Sequence, residues 1–337
     1  MPKALIFQGL RLYHFKYKQR KAVEKMKLKF DVKHTSHPDP FLFKDGDTYY
    51  LYPSDGWGED GVPVYTTKYP FGEWHYVGIA AKFEGAKEYW APSVIKYKDK
   101  YYMYLSFARG GNYQFMHVAE AESPLGPFKN EKMLYQEFSI DSHVVETEAG
   151  LFLFYAKNKY KPDYEGERIG TRIFVDRLID PYTPAYNPVE KVVPDFDEER
   201  FTPDYSEKNR WHTIEGAFWF KEGEYQYLTY SGGCYQDDTY HVGYAVAKSD
   251  EADLTKVEFK KVTKDGRFNP LLIKNSFEEG TGHHSMLKID GEYYAFYHGR
   301  DIGELPEGEY QEMRTARVCK VKVSDGILTA EMKENEI

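Results

Sequence analysis

The stretch of sequence that decides the fold runs from residue 39 to residue 52 and reads Asp-Pro-Phe-Leu-Phe-Lys-Asp-Gly-Asp-Thr-Tyr-Tyr-Leu-Tyr. An apolar run, an Asp-Gly turn and an aromatic run, in this order, indicate two antiparallel strands joined by a tight hairpin. The pattern recurs four more times, beginning at Ala91, Asp141, Glu215 and His283, with ten positions each time between its first residue and its second run. A constant internal spacing of this kind is typical of a repeat architecture.

The five repeats predict the fold class. Their first residues lie 52, 50, 74 and 68 positions apart (39 to 91, 91 to 141, 141 to 215 and 215 to 283), which leaves room for about four strands in each unit. We therefore predict an all-β, five-bladed β-propeller over residues 31–337, with four-stranded antiparallel blades around a central channel. A sandwich of unrelated hairpins is the alternative, and the constant spacing argues against it.

Two segments fall outside the repeat. Residues 1–30 are predicted to be an N-terminal extension that packs on the propeller, with a short helix over about residues 18–27. This extension could cap the propeller, close the ring or mediate a dimer, and the sequence leaves the oligomeric state open. The extra length of unit three, from Tyr160 to Arg210, is predicted to be a long loop or an extended hairpin over one face.

Composition excludes several classes of function. The net charge of −9 argues against a nucleic-acid partner, because neutralising phosphates needs a basic surface. No apolar run approaches the length of a membrane span, so no membrane partner is expected. Two cysteines, Cys234 and Cys319, form neither a metal-like spacing nor a disulfide framework. No signal peptide is recognisable, and we expect a cytoplasmic protein, although a secreted mature form remains an alternative.

The first residues of the repeats carry the chemistry. In superposable blades they would ring one end of the channel, and in order they are Asp39, Ala91, Asp141, Glu215 and His283. Three carboxylates held close together raise one another's pKa, an arrangement that folds seldom keep without a functional reason. Glycosidic hydrolysis needs such a set, with one carboxylic acid to protonate the leaving oxygen and a second carboxylate on the other side of the sugar.

The blade starts resemble those of glycoside hydrolase family 43. The matching motifs are His37-Pro-Asp39-Pro, Trp90-Ala-Pro, Ile140-Asp141, Ile214-Glu215-Gly and Gly282-His283, within a resemblance that covers residues 36–320. The family implies a five-bladed propeller that hydrolyses arabinose- and xylose-containing substrates with inversion. By this resemblance Asp39 is the general base, Glu215 the general acid and Asp141 the modulator of the acid's pKa. Inversion predicts that the base and acid carboxyls lie about 6.5–9.5 Å apart.

The sequence departs from the usual family motifs at Ser93, Ser142 and Ala217. Many members have an acidic residue where Ser93 stands, and often a proline at the other two positions. Because the modulator maps to Asp141, these departures concern the subfamily more than the chemistry.

Five further residues are predicted to contact the substrate: Trp90, His37, Trp57, Phe107 and Arg314. Trp90 directly precedes a channel position, so it could be the wall on which a pentose stacks, although packing between blades would explain it equally well. Arg314 lies where the family often places an arginine near the base. The neighbouring Arg317 cannot be told apart from it by sequence.

His283 is predicted to lie near the channel axis. The resemblance implies no required cofactor, but it does suggest a structural calcium ion that His283 would contact through water. A single histidine is a poor direct ligand for calcium, which prefers oxygen donors. The adjacent His284 should point away from the channel, because successive strand residues face opposite sides.

The function predicted from these residues is that of an inverting, exo-acting α-L-arabinofuranosidase. Its partner would be a small oligosaccharide or a fragment of arabinan or arabinoxylan. The alternatives are a β-xylosidase, an endo-α-1,5-L-arabinanase, which would need an open groove, and a sugar-binding propeller without catalysis. The intact set of Asp39, Asp141 and Glu215 argues against the last of these.

Overall fold

The structure is a computed structural model that describes residues 25–32, 36–55, 58, 60–111, 113–201, 210–303 and 313–331. Within these residues, five antiparallel sheets form a ring of blades. The predicted all-β, five-bladed propeller is therefore confirmed. The one helix in the described part of the chain is a 3-10 turn at Asp197–Glu199, and no helix there is long and apolar enough to cross a membrane.

The strands follow one another around the ring in chain order. Two short strands come first, β1 (Lys25–Lys27) and β2 (Lys29–Phe30). Blade one contains β3 (Phe41–Asp45), β4 (Thr48–Tyr52), β5 (Val62–Thr67) and β6 (Glu73–Ala81). Blade two contains β7 (Ala86–Tyr97), β8 (Lys100–Arg109), β9 (Phe115–Ala121) and β10 (Lys129–Met133).

The remaining blades repeat this meander. Blade three contains β11 (Ser139–Thr147), β12 (Gly150–Lys159), β13 (Gly170–Asp180), β14 (Thr183–Pro184) and β15 (Val189–Val192). Blade four contains β16 (Ile214–Glu222), β17 (Tyr225–Gly232), β18 (His241–Lys248) and β19 (Lys260–Lys261). Blade five contains β20 (Glu278–Ile289), β21 (Glu292–Asp301), β22 (Thr315–Ser324) and β23 (Ile327–Glu331).

Unit three differs from its prediction. Residues 170–192, predicted to belong to a long loop or extended hairpin over one face, form the outer strands of blade three instead. β13 pairs with β12, and both β14 and β15 pair with β13, so they share the outermost position of the blade. These strands lack the turn-and-aromatic pattern of the hairpins, so the repeat did not predict them.

Residues 25–30 join the two ends of the ring. β1 runs antiparallel to β22 of blade five, with Lys25 opposite Cys319, and β2 runs parallel to β6 of blade one. Of the three roles considered for the N-terminal extension, these two pairings correspond to ring closure. The predicted helix over residues 18–27 lies mainly outside the described residues, and its last three residues form β1 instead.

Five clusters of buried apolar side chains hold the ring together, one between each pair of neighbouring blades. The cluster between blades one and two, for example, packs Tyr52 and Val64 against Met103 and Phe107. Because each blade is covered by its neighbours, the second strands of the blades, such as β8 and β12, are largely apolar on both faces, as buried sheets generally are. This packing fixes the inner strands around the channel, where the site lies.

Candidate active site

A single cavity of about 650 Å³ opens at the channel and gathers most of the predicted site. Its polar lining includes Asp39, Asp141, Glu215, His283 and Arg314. Its apolar walls are largely aromatic, and they comprise Trp90, Phe138, Phe201, Trp211, Tyr235 and Tyr240, with Ile140 and Pro38. A concave apolar pocket with a few converging polar groups is what a small-molecule site looks like.

Four of the five repeat positions share one unusual backbone conformation. Asp39, Ala91, Asp141 and His283 have positive φ angles of 52°, 43°, 60° and 37°. In blades two, three and five the ladder is interrupted by a bulge at this point. A bulge re-aims the side chain of the inner strand, and the strain of a non-glycine residue in this region costs about 1–3 kcal/mol. The four positions are therefore equivalent, as predicted.

Blade four is offset from the predicted alignment by one residue. Each equivalent residue lies six positions before the last residue of the strand that precedes the hairpin turn. These last strand residues are Asp45, Tyr97, Thr147 and Ile289. In blade four that residue is Glu222, and six positions before it stands Gly216, whose φ is 59°. Glu215 thus occupies the position of Trp90 and Ile140, and it still lines the pocket.

Asp39 is buried among hydrogen-bond donors. The Ser54 hydroxyl donates to its Oδ2 over 2.6 Å, and Arg314 donates from Nη1 to its Oδ1 over 3.3 Å. The His283 Nδ1 lies 3.3 Å from Oδ1. Burial acts to raise the pKa of this carboxyl, but His283 and Arg314 outweigh it and hold that pKa well below its usual range. Asp39 is therefore ionised at neutral pH, as a general base must be.

Glu215 has the opposite protonation state. Burial raises the pKa of its carboxyl to about 7, with a further upward contribution from the charge of Asp39. The Tyr240 hydroxyl donates to its Oε1 over 2.7 Å and acts in the other direction. Near neutral pH, Glu215 thus retains a proton for a leaving group, as a general acid must.

Asp141 is buried beside this acid and receives the backbone N–H of Gly216 at its Oδ2 over 3.0 Å. Burial raises the pKa of Asp141 well above its usual value, and the charges of Glu215 and Asp39 raise it further. Two such carboxyls titrate as a pair, so a charge on one keeps the proton on the other. This coupling is what the predicted modulator role requires, and the role itself stays a prediction.

Two residues that the repeat pattern did not indicate, His298 and Tyr240, support the acid and the base. The backbone N–H of Asp39 donates to His298 Nδ1 over 3.1 Å, and the His298 ring is stacked on Tyr240 at 5.5 Å. Gly282 leaves the space that the Tyr240 ring occupies, since a Cβ there would lie 2.1 Å from its Cε1. The signal that could have found His298 was a histidine inside the largely aromatic strand β21.

The predicted substrate contacts divide into three groups. Trp90 and Arg314 line the pocket, and Arg314 also stacks on Tyr235 with its guanidinium carbon 4.8 Å from the ring centre. His37 and Phe107 do not line it. The His37 ring is stacked on Phe30 at 3.7 Å, and Phe107 is fully buried.

Sequence alone could not separate these cases, because His37 and Phe107 belong to the apolar packing beside the channel. Trp57 lies outside the described residues.

Two neighbouring pairs of residues are now distinguished. Arg317 is buried and pairs with Glu278 at 3.2 Å and Asp301 at 2.6 Å, so it stabilises blade five, whereas Arg314 contacts the base. His284 does not line the pocket, and its Nε2 lies 2.6 Å from the Thr229 hydroxyl. The prediction that His284 points away from the channel is confirmed.

No group of three or more His, Cys, Asp or Glu side chains forms a metal-ligand cluster within the described residues. His283 directs its Nδ1 at the Asp39 carboxylate, and one imidazole is a poor ligand for calcium. These residues do not fit a calcium ion held directly by the protein. An ion held through water stays a prediction.

The family-model comparison matches residues 31–328 to the model described as glycosyl hydrolases family 43. The chain belongs to this family. It is therefore a glycoside hydrolase that acts on carbohydrate substrates, and the predicted resemblance is confirmed. A search of curated proteins finds no match.

Solved structures show the same fold. A thermostable family-43 glycoside hydrolase is 25% identical, with a TM-score of 0.75 over 93% of this chain and 97% of that one. An endo-1,4-beta-xylanase from Bacteroides thetaiotaomicron is 22% identical, with a TM-score of 0.69 over 91% and 96%. An alpha-L-arabinofuranosidase from Lactobacillus brevis is 18% identical, with a TM-score of 0.68 over 88% and 94%. These family-43 and related folds carry different activities, so fold does not select the substrate.

Proposed function

We propose that this family-43 enzyme is an inverting exo-glycosidase that releases terminal α-L-arabinofuranose from short arabinose-containing oligosaccharides. The observation that carries the proposal is the pair of opposite protonation states in one pocket. Asp39 is ionised at neutral pH, whereas the pKa of Glu215, raised to about 7, leaves a large fraction of this carboxyl protonated there. A pair of carboxyls with divided roles is what glycosidic hydrolysis requires.

The reaction follows from these states. Asp39 accepts a proton from a water molecule as that water attacks the anomeric carbon. Glu215 donates its proton to the leaving oxygen on the opposite side of the sugar, and the bond to that oxygen breaks. Attack and departure on opposite faces invert the anomeric centre, and they need a carboxyl separation of about 6.5–9.5 Å. Arg314 keeps Asp39 ionised at rest.

The connection between blades three and four supports exo action. Phe201 and Trp211 line the pocket, and the Phe201 N–H donates to the Trp211 carbonyl over 2.9 Å, which holds the two residues side by side. The 3-10 turn just before it is anchored by Glu199, a buried carboxylate 2.6 Å from Lys261 Nζ. A wall at this edge favours a pocket that accepts a chain end over a groove that an endo-arabinanase would need.

The family resemblance covers arabinose and xylose alike, and the solved neighbours include both an alpha-L-arabinofuranosidase and a xylan beta-1,4-xylosidase, so the test sets the proposed arabinofuranose against xylose. The test is a panel of aryl α-L-arabinofuranoside, aryl β-D-xyloside, linear arabino-oligosaccharides and arabinoxylan oligomers. We expect release of arabinose from chain ends, with NMR showing the inverted anomer early in the reaction. Release of internal fragments, exclusive turnover of the xyloside, or a retained anomer would each overturn the corresponding part of the proposal.

A further inference from the structure

An aromatic surface continues outward from the pocket between blades two and three. We call it the rim cluster, and it comprises Tyr113, Phe138, Asn158, Tyr160 and Trp211. Phe138, Asn158 and Trp211 line the pocket. Tyr113 and Tyr160 lie beyond the lining, and they are 46% and 58% exposed. The Tyr113 ring lies 5.5 Å from Phe138 and the Tyr160 ring lies 5.5 Å from Trp211, so the aromatic surface is continuous with the pocket wall.

Hydrogen bonds hold the exposed rings in place. The two tyrosine hydroxyls lie 3.1 Å apart, and Asn158 donates from Nδ2 to the Tyr160 hydroxyl over 2.8 Å. With its amide in this orientation, Asn158 has a buried Oδ1 with no hydrogen-bond partner. Since buried polar groups are rarely left unpaired, this oxygen is an acceptor that a bound molecule can satisfy.

The chemistry of the rim cluster fits a neutral sugar ring. Aromatic side chains offer a flat apolar surface for the C–H face of a sugar, and tyrosine adds a polar tip. The Asn158 Oδ1 would accept from a sugar hydroxyl. The nearest lysine along the strand, Lys159, is already paired with Asp163 and Glu167.

We propose that the rim cluster binds the first sugar of the leaving group, next to the bond that is cleaved. This inference rests on the proposed function, because the terminal pentose must occupy the pocket beside Asp39 and Glu215. The leaving group departs on the side of Glu215, and the wall that carries Trp211 leads directly into blade four, where Glu215 stands. The substrate is thus an oligosaccharide, recognised through at least two consecutive sugars.

The test compares two substrates on one set of variants. An aryl α-L-arabinofuranoside has no second sugar, whereas α-1,5-linked arabinotriose does. For the double variant Tyr113→Ala/Tyr160→Ala we expect the ratio of kcat/KM for arabinotriose to that for the aryl substrate to fall about tenfold, equivalent to about 1.4 kcal/mol. The loss should lie in KM. Tyr186→Ala, which removes another exposed tyrosine on the outer edge of blade three, should leave the ratio unchanged.

Asn158→Leu separates recognition from general loss of structure, since it keeps the approximate size of the side chain and removes both the Oδ1 acceptor and the amide donor to Tyr160. We expect it to lower the same ratio. If wild type hydrolyses both substrates and the ratio is unchanged in both rim variants, the rim cluster is not a sugar subsite, and the proposed function stands. If wild type releases no pentose from either substrate, the proposed function itself fails.

Discussion

Removing the Tyr240 hydroxyl should shift the pH dependence of hydrolysis. Tyr240 donates to Glu215 over 2.7 Å, and this bond favours the ionised form of the acid. A hydrogen bond to a charged group contributes about 1.5–3 kcal/mol, and one pKa unit corresponds to about 1.36 kcal/mol. In Tyr240→Phe the pKa of Glu215, about 7 in the wild type, should therefore rise by about one to two units.

The sign of the shift follows from the role of the proton. Turnover needs Glu215 protonated, so activity falls as pH rises through the pKa of the acid. A higher pKa extends activity to higher pH, and the alkaline limb of kcat/KM should move up by about one to two pH units. Because Asp141 and Glu215 are coupled, the limb reports the pair. The substrate should be an arabino-oligosaccharide, whose poor leaving group depends on the acid.

A matched variant tests whether any buried tyrosine would have this effect. The Tyr104 hydroxyl is buried in blade two and donates to the Pro181 carbonyl over 2.8 Å, away from the pocket. Tyr104→Phe should lower stability slightly and leave the alkaline limb in place. A limb that stays fixed or moves down in Tyr240→Phe would refute the reasoning about the acid.

Three further substitutions probe the same site. Glu215→Gln should lower kcat about 10²–10⁴-fold on oligosaccharides and less on aryl glycosides with good leaving groups, and equal losses on both would contradict its role as acid. Asp39→Asn should lose activity on both substrates alike, because water must still be activated, and normal turnover of the aryl glycoside would argue against the base. Gly282→Ala places a Cβ 2.1 Å from Tyr240, so urea unfolding should show a loss of about 1–3 kcal/mol. Unchanged stability would mean that the Tyr240 ring moves freely.

The repeat pattern predicted the propeller and four equivalent positions, but it misaligned the fourth blade. The constant spacing of ten positions between the first residue of a repeat and its second run matches Tyr225 with Tyr49. The strand register shows instead that Tyr225 corresponds to Thr48. Aligning the turn glycines, Gly223 with Gly46, would have placed Gly216 correctly. That alignment is not general, because the residues equivalent to Gly46 in blades two and five are Lys98 and Asp290, which also have positive φ angles.

Other parts of the site had no local signal. Trp211, Phe201 and Tyr235 reach the pocket from irregular connections, whose path depends on long-range packing. His298 and Tyr240 meet only when blades four and five pack together, and their stacking links two segments far apart in the chain. His37 carries a family motif, but its ring packs on Phe30, and both rings lie against Tyr65 of blade one.

The pairing of β1 with β22 also bears on how the chain folds during synthesis. Lys25 leaves the ribosome long before Cys319, its partner across the ladder. Until blade five has been synthesised, β1 has no strand to pair with. Unpaired strand edges of this kind promote aggregation. Contacts so distant in sequence also slow folding. The last step of folding is therefore expected to be the pairing of β1 with β22. Substitutions in β1 should reduce the yield of folded protein more than its activity.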